Sequence, residues 1–354
     1  MTPHLTACGV VCPGGFGAEA LTREWPVTMT HDAAGLHKYA TCLVDRQAPE
    51  LKRWEQEPRM RRASPITYYM LEAAHQALEA APWTDRRRTG IVATFFLGCL
   101  VYTIRFYRQI TAEGRRFASP VLFPETVFNS PVSHVVSVLG LGGPVYSQVG
   151  DKSCWANALR TAECWLARGS ADQVLVLGAE EFEAHQLDAF KVAGLLRSKA
   201  CLVGEGAGAI LLARNGCSEG ASLANVADGY SFGSRENAVL AASECLAQFP
   251  LTCPVLSTAT GWMRRIATKA SSGREVLGRP CATECEAATA TCAWDTIIGT
   301  RLLGNRPEIV IPYWGLSQQC AAARWIDAPA QTYVAGWARE LVTTPEAEGS
   351  TLER

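Results

Sequence analysis

"YSQVGDKSCWANALRTAECW" spans residues 146–165, and its reading decides the fold. A short strand-forming piece, "SQVG", meets a polar turn; from Ser153 to Arg168 the pattern is helical, and Gly169 supplies the C-cap. A strand–turn–helix unit of this kind holds one side chain at a helix N-terminus, where unpaired N–H groups and the helix dipole favour negative charge. The place suits a thiolate nucleophile, because the same field lowers a thiol pKa. Lys152 stands there instead. Its ammonium is repelled by that field and disfavoured by burial, so the lysine is expected to be neutral or paired with a carboxylate.

Outward from this unit the chain alternates strand-like and helix-like stretches, which predicts an α/β layered architecture. "LTACGVVCP" reads as a strand closed by Pro13-Gly14-Gly15, and Ser64 to Ala81 as an amphipathic helix with a Ser cap and Pro at its start. "TGIVATFFLG" and "DQVLVLGAEE" read as buried strands, and "FPETVFNSPVSHVVSVLGLGGP" as a loop entering a short helix that stops at the glycines. "GEGAG" is not a dinucleotide loop, because it runs into the strand "AILLAR" where that fingerprint needs a helix. After Arg214, "NGCSEGASLANVADG" marks a join, giving an N-terminal half over 1–214 and a second half over 215–342. In the second half "CPVLSTATG" and "PEIVIPYWG" read as strands and "CEAATATCAWDTIIGTRLLG" as a closely packed small-residue helix. The stretch 343–354 has the composition of a disordered tail.

With 354 residues, 48% of them hydrophobic and 19% charged, the chain is long enough for one large core or two fused ones. A net charge of −1 offers no global field for nucleic acid or an anionic membrane, so neither is an expected partner. The N-terminal residues carry no signal-like basic and apolar segments, which predicts a cytoplasmic protein whose 14 cysteines are reduced and mostly buried. The longest charge-free apolar run, 91–104, is too short for a bilayer span. Three arginine-rich stretches, 59–62, 85–90 and 113–117, read as solvated surface or as a landing site for an acidic partner.

Four segments in order resemble the β-ketoacyl synthase family of the thiolase fold: "ACGVVCPGG", "FNSPVSHVVSVLGLGGP", "ARGSADQVLVLGAEE" and "VGEGAGAILL". The resemblance implies a layered αβαβα fold of two pseudo-repeat halves, with no cofactor and no metal. It also implies a catalytic cysteine eight residues after the Pro that closes the second segment. Counting from Pro144 gives Lys152, and counting back from Gly169, Asp172 and Glu180 gives the same residue. Cys154 falls two positions late.

The family's condensation further needs two histidines from the C-terminal half, yet no histidine follows His185. "STATGW" puts Thr258 at the first histidine position, and "ATECEAATA" puts Glu284 or Glu286 near the second. The family's final glycine-rich loop corresponds to Trp314-Gly315-Leu316-Ser317. The relic site is therefore expected to comprise Asp151, Lys152, Cys154, Thr258, Glu284, Glu286, Gly315 and Leu316, with Asp151, Glu284 or Glu286 holding the charge of Lys152.

The resemblance implies a non-catalytic subunit of the chain-length-factor type, although such subunits typically carry Gln at the cysteine position. Its partners would be a catalytic ketosynthase or a second copy of itself, and an acyl carrier protein. The alternatives are an enzyme using Lys152 or Cys154 in non-condensing acyl chemistry, and a homodimeric scaffold.

Overall fold

The structure is a computed structural model, and it describes residues 2–82, 85–197, 202–214, 220–280, 285–315 and 319–328. The main strands of the first half are β1 (His4–Cys12), β2 (Thr89–Phe95), β3 (Val145–Val149), β4 (Gln173–Glu180) and β5 (Gly206–Ala213). They lie side by side in the order β3-β2-β4-β5-β1, with β2 parallel to both β3 and β4 and the remaining pairs antiparallel. Every residue of β2, β4 and β5 is buried, as expected for strands covered on both faces.

The second half repeats this plan. Its strands are β6 (Gly220–Val226), β7 (Val255–Leu256), Val276–Leu277, β8 (Glu308–Trp314) and β9 (Gln319–Ala328). Taken by chain order within each half, both sheets run 3-2-4-5-1, with parallel pairs at the outer end and antiparallel pairs at the inner end. The two sheets meet where β1 pairs β6 at His4 and Ser222. The segment after Arg214 that reads as a join thus contains a full strand, β6.

The layers are completed by α1 (Pro65–Ala80), α2 (Leu100–Glu113), α3 (Ser130–Leu139), α4 (Cys154–Arg168), α5 (Arg235–Ala247), α6 (Met263–Ala270) and α7 (Ala288–Arg301). α1 covers β1 and β5 and touches α3, while α5 covers β9 and packs on α6. Between the two sheets lie α4 and α7, which contact each other, α4 against β2 and β4 and α7 against β4, β5 and β8. This is the αβαβα layering.

The middle layer explains its own sequence. α4 buries Trp155, Leu159, Ala162 and Leu166 at helical spacing and ends at Gly169, whose φ of 71° is the left-handed C-cap. α7 is buried on all sides, so it is built from Ala, Thr, Ile and Gly rather than from an amphipathic stripe. Its threonines cost little there because Thr296 and Thr300 donate back to the carbonyls of Cys292 and Thr296. α7 also approaches β4 closely: a Cβ built on Gly178 would stand 2.2 Å from the Thr289 carbonyl oxygen.

The apolar run 91–104 divides. Its first part is β2, and from Leu100 it turns into α2 after Gly98, whose φ is 61°. Among the described residues the cysteines are free thiols, and no helix is long and apolar enough to cross a membrane. The tail at 343–354 lies outside the described residues.

Candidate active site

The turn between β3 and α4 carries Lys152 into the middle layer, where it is 1% exposed. Its Nζ lies 3.2 Å from Glu286 Oε2. Glu286 comes from the short strand Cys285–Glu286, which pairs with Leu202–Gly204 immediately before α7. The carboxylate is fully buried and takes two further donors, Thr260 Oγ1 at 2.6 Å on Oε2 and the Ala288 N–H at 2.9 Å on Oε1. Ala288 has φ 40°, making it the non-glycine in left-handed backbone among the described residues. Strain of that kind persists only where the surroundings impose it, and here the bond to Glu286 is part of what holds it.

A second ion pair, with its carboxylate buried, stands behind the first. Arg279 reaches Asp295 of α7 at 2.6 Å and donates to the Thr258 carbonyl at 3.3 Å. Burial pushes the Asp295 carboxyl up to about 6, with Arg279 and Lys152 holding it from going further. For Lys152, burial favours the neutral amine, but the fields of the Glu286 and Asp295 carboxylates outweigh it and raise the pKa. The lysine is therefore an ammonium in a closed ion pair.

Other residues of the site serve the frame. Asp151 Oδ1 caps the turn that precedes α4, accepting from the Ser153 N–H at 3.1 Å and hydroxyl at 2.7 Å, and that hydroxyl also reaches Gln319 Oε1. Gly315 packs over this cap so closely that a Cβ would stand 2.2 Å from Asp151 Oδ2. Thr258 donates to the Pro312 carbonyl at 2.7 Å, so the hydroxyl reaching the ion pair belongs to Thr260, two residues on. Glu284 and Leu316 lie outside the described residues.

Cys154 is not an activated thiol. Its Sγ lies 3.8 Å from Gln148 Oε1, and burial, with Asp151 and Glu180 nearby, pushes its pKa up to about 12. Cys292 donates to the Lys152 carbonyl, and burial keeps this thiol well above the ordinary range. His134 and His185 sit elsewhere, bonded to Glu125 and Glu183 at 3.1 and 2.6 Å. Thr260, Arg279 and Asp295 join the site without being among the residues expected from the sequence. Asp295 stands out in the sequence as a carboxylate in the middle of a helix rich in small residues, whose other charge, Arg301, is at its end.

Two further buried carboxyls brace the site. Glu180, at the end of β4, accepts from the N–H groups of Phe96, Leu97 and Gly98 and from Thr289 of α7; Glu181 accepts from those of Ile66 and Val101. Burial raises Glu180 to about 7 and Glu181 to about 8 despite these donors. A carboxyl whose folded pKa lies above its unfolded one binds more protons in the native state. Its stabilisation is lost as pH rises through the folded value. Unfolding free energy measured in urea is thus expected to fall between about pH 6 and about pH 8. A rise over that window would contradict the assignment.

Comparison with known proteins agrees with this architecture. The family model for the beta-ketoacyl synthase N-terminal domain matches residues 19–216, and the chain belongs to the β-ketoacyl synthase family. It is 27% identical over 197 residues to 3-oxoacyl-[acyl-carrier-protein] synthase 2 of Rhizobium meliloti (strain 1021), covering 50% of this chain and 46% of that protein. It is 28% identical over 137 residues to the mitochondrial 3-oxoacyl-[acyl-carrier-protein] synthase of Arabidopsis thaliana, covering 37% and 29%. The matches thus span less than half of either relative.

Among solved structures, the ishigamide ketosynthase/chain length factor superposes with a TM-score of 0.77 at 19% identity. A beta-ketoacyl synthase from Burkholderia phymatum STM815 gives 0.75 at 14%. Each alignment covers 92% of this chain and 99% of the other. The fold is the thiolase-like fold of these ketosynthases.

Proposed function

We propose that the chain is a non-catalytic ketosynthase-like subunit of the chain-length-factor type, which pairs with a catalytic β-ketoacyl synthase in fatty-acid or polyketide chain elongation. The observation that carries this reading is the buried Lys152–Glu286 pair at the nucleophile turn. Condensation by this family needs a nucleophile that can leave its proton and groups that bind a developing oxyanion. Here the turn holds an ammonium locked on a carboxylate, the neighbouring thiol is protonated, and no histidine follows His185. An amine nucleophile would need Lys152 to be neutral, and its raised pKa argues against that. Glu286, rather than Glu284, is assigned the place of the second family histidine.

Support for a partner comes from what the chain leaves uncovered. β3 is the edge of the sheet, and Val145, Tyr146 and Val149 on it are 47%, 52% and 54% exposed. α2 buries none of its residues, and Tyr107, Phe117, Val121, Phe123 and Val127 along and just after it are exposed as well. A sheet edge bearing apolar side chains is an open template for another chain. An ishigamide ketosynthase/chain length factor and a type II PKS acyl-carrier protein in complex with its ketosynthase are among the structures this chain resembles, and both have partners of the proposed kind.

Co-expression with a ketosynthase encoded beside this chain tests the reading. A one-to-one complex is expected, with condensing activity in the complex and none in this chain alone. Condensation by the chain alone would overturn the proposal.

A further inference from the structure

Between Arg46 and Ser64 the chain is broken into short helical turns, Pro49–Lys52, Arg53–Gln56 and Pro58–Arg62, two of them opened by a proline that cannot continue a preceding helix. These turns and the starts of α1 and α2 line a cavity of about 320 Å³. Glu181 draws the two helix starts together by accepting from the N–H groups of Ile66 and Val101. The walls are mostly apolar, with Leu51, Val101 and the rings of Tyr68, Tyr69 and Tyr102. A cavity of this size is at the lower end of the range for small-molecule sites, about 300–1,000 Å³.

One ion pair is built into this cavity. Arg46 lines it with its side chain 41% exposed, and Nη2 reaches Oε2 of the fully buried Glu205 at 2.6 Å. Nε donates to the Tyr69 hydroxyl at 2.8 Å and Nη2 also to the Phe182 carbonyl at 3.5 Å. Nη1 is thus the guanidinium nitrogen with no hydrogen bond among the described residues. Glu205 balances the charge of Arg46, and its Oε1 is buried without a partner, so the pair offers a donor but no net positive field. Glu55, exposed and lining the same cavity, adds a negative one: burial and the Glu55 carboxylate together raise the Tyr68 phenol above its ordinary value.

We propose that this cavity binds an uncharged aromatic carbonyl compound, a ketone or ester, with its carbonyl oxygen on Arg46 Nη1 and its ring against Tyr68, Tyr69 and Tyr102. An anion would face Glu55 and Glu205 beside an arginine that is already neutralised, and a cation would meet that same guanidinium. A carbonyl oxygen accepts the free N–H without bringing a charge of its own. An aromatic ring gains stacked or edge contacts with the tyrosines beyond the area it buries. The cavity shares no residue with the Lys152–Glu286 pair, and the proposal does not depend on whether the chain is catalytic.

Ligand-observed NMR titration of the purified full-length chain tests it with three probes on one skeleton: benzylacetone as the ketone, hydrocinnamate as the anion and phenylpropylammonium as the cation. Benzylacetone is expected to bind saturably at millimolar concentration, and each ion at least about tenfold more weakly. Val101→Phe puts a ring into the cavity and is expected to abolish ketone binding. Arg46→Lys keeps a cation on Glu205 but gives up the forked second arm, and is expected to weaken ketone binding about tenfold. Tyr107→Ala, on the exposed side of α2 outside the cavity, is expected to leave it unchanged. A thermal melt shows whether each variant is folded; where one is not, the probe series on the parent decides. No saturable binding of benzylacetone, binding of either ion as tight as that of the ketone, or undiminished ketone binding in folded Val101→Phe or Arg46→Lys would overturn the proposal.

Discussion

Lys152→Met is expected to cost about 3–5 kcal/mol of unfolding free energy, because it leaves Glu286 charged and fully buried with no cation against it. The two hydrogen bonds from Thr260 and Ala288 remain, but they do not replace an ammonium. Lys152→Met combined with Glu286→Leu removes both charges and should recover most of the loss, as apolar replacements of buried pairs commonly do. Urea unfolding of the two variants and the parent at about pH 5 and about pH 8 reads all of this. A single variant as stable as the parent at both values would mean that Lys152 and Glu286 do not depend on each other.

Placing a charge on the free sheet edge is expected to abolish association with a ketosynthase while sparing the fold. Tyr146 and Val149 are 52% and 54% exposed, so Tyr146→Lys and Val149→Lys should change the stability of the chain alone by about half a kcal/mol or less. In a complex formed through β3 the same lysines would be buried against an apolar surface without partners. That penalty of several kcal/mol corresponds to at least about a hundredfold weaker association. Size-exclusion chromatography of the co-expressed pair should show the one-to-one peak lost for the double variant, with a far-ultraviolet circular dichroism spectrum like that of the parent. Retention of the complex would move the interface away from β3.

Much of the frame is legible in the sequence because the signals are local. Gly169 after an apolar periodic run fixes the end of α4, and the aliphatic runs of β2 and β4 can only be strands buried on both faces. The site is less legible because its contacts join distant segments. Asp151, Glu284 and Glu286 are equivalent as candidate counter-ions until the pairing of Cys285–Glu286 with Leu202–Gly204 sets Glu286 opposite Lys152. Thr258 and Thr260 are likewise equivalent in a loop, and only the position of Pro312 on β8 takes Thr258 away. β9 is hidden for another reason: "QCAAARWIDA" carries helix-forming alanines, yet it lies between β6 and β8, where small side chains fit and both neighbours supply hydrogen bonds. The run that becomes β2 and α2 has no internal charge to mark its break, and only Gly98 shows where it turns.

On the proposed reading the nucleophile turn does no acyl chemistry. Intact-protein and peptide mass spectrometry after incubating the purified chain with an acyl thioester, followed by borohydride, tests this most directly. An unmodified mass and an unmodified peptide containing Lys152 and Cys154 are expected, under conditions in which a catalytic ketosynthase is acylated. An acyl adduct or a reduced imine at Lys152, lost in Lys152→Ala, would contradict it.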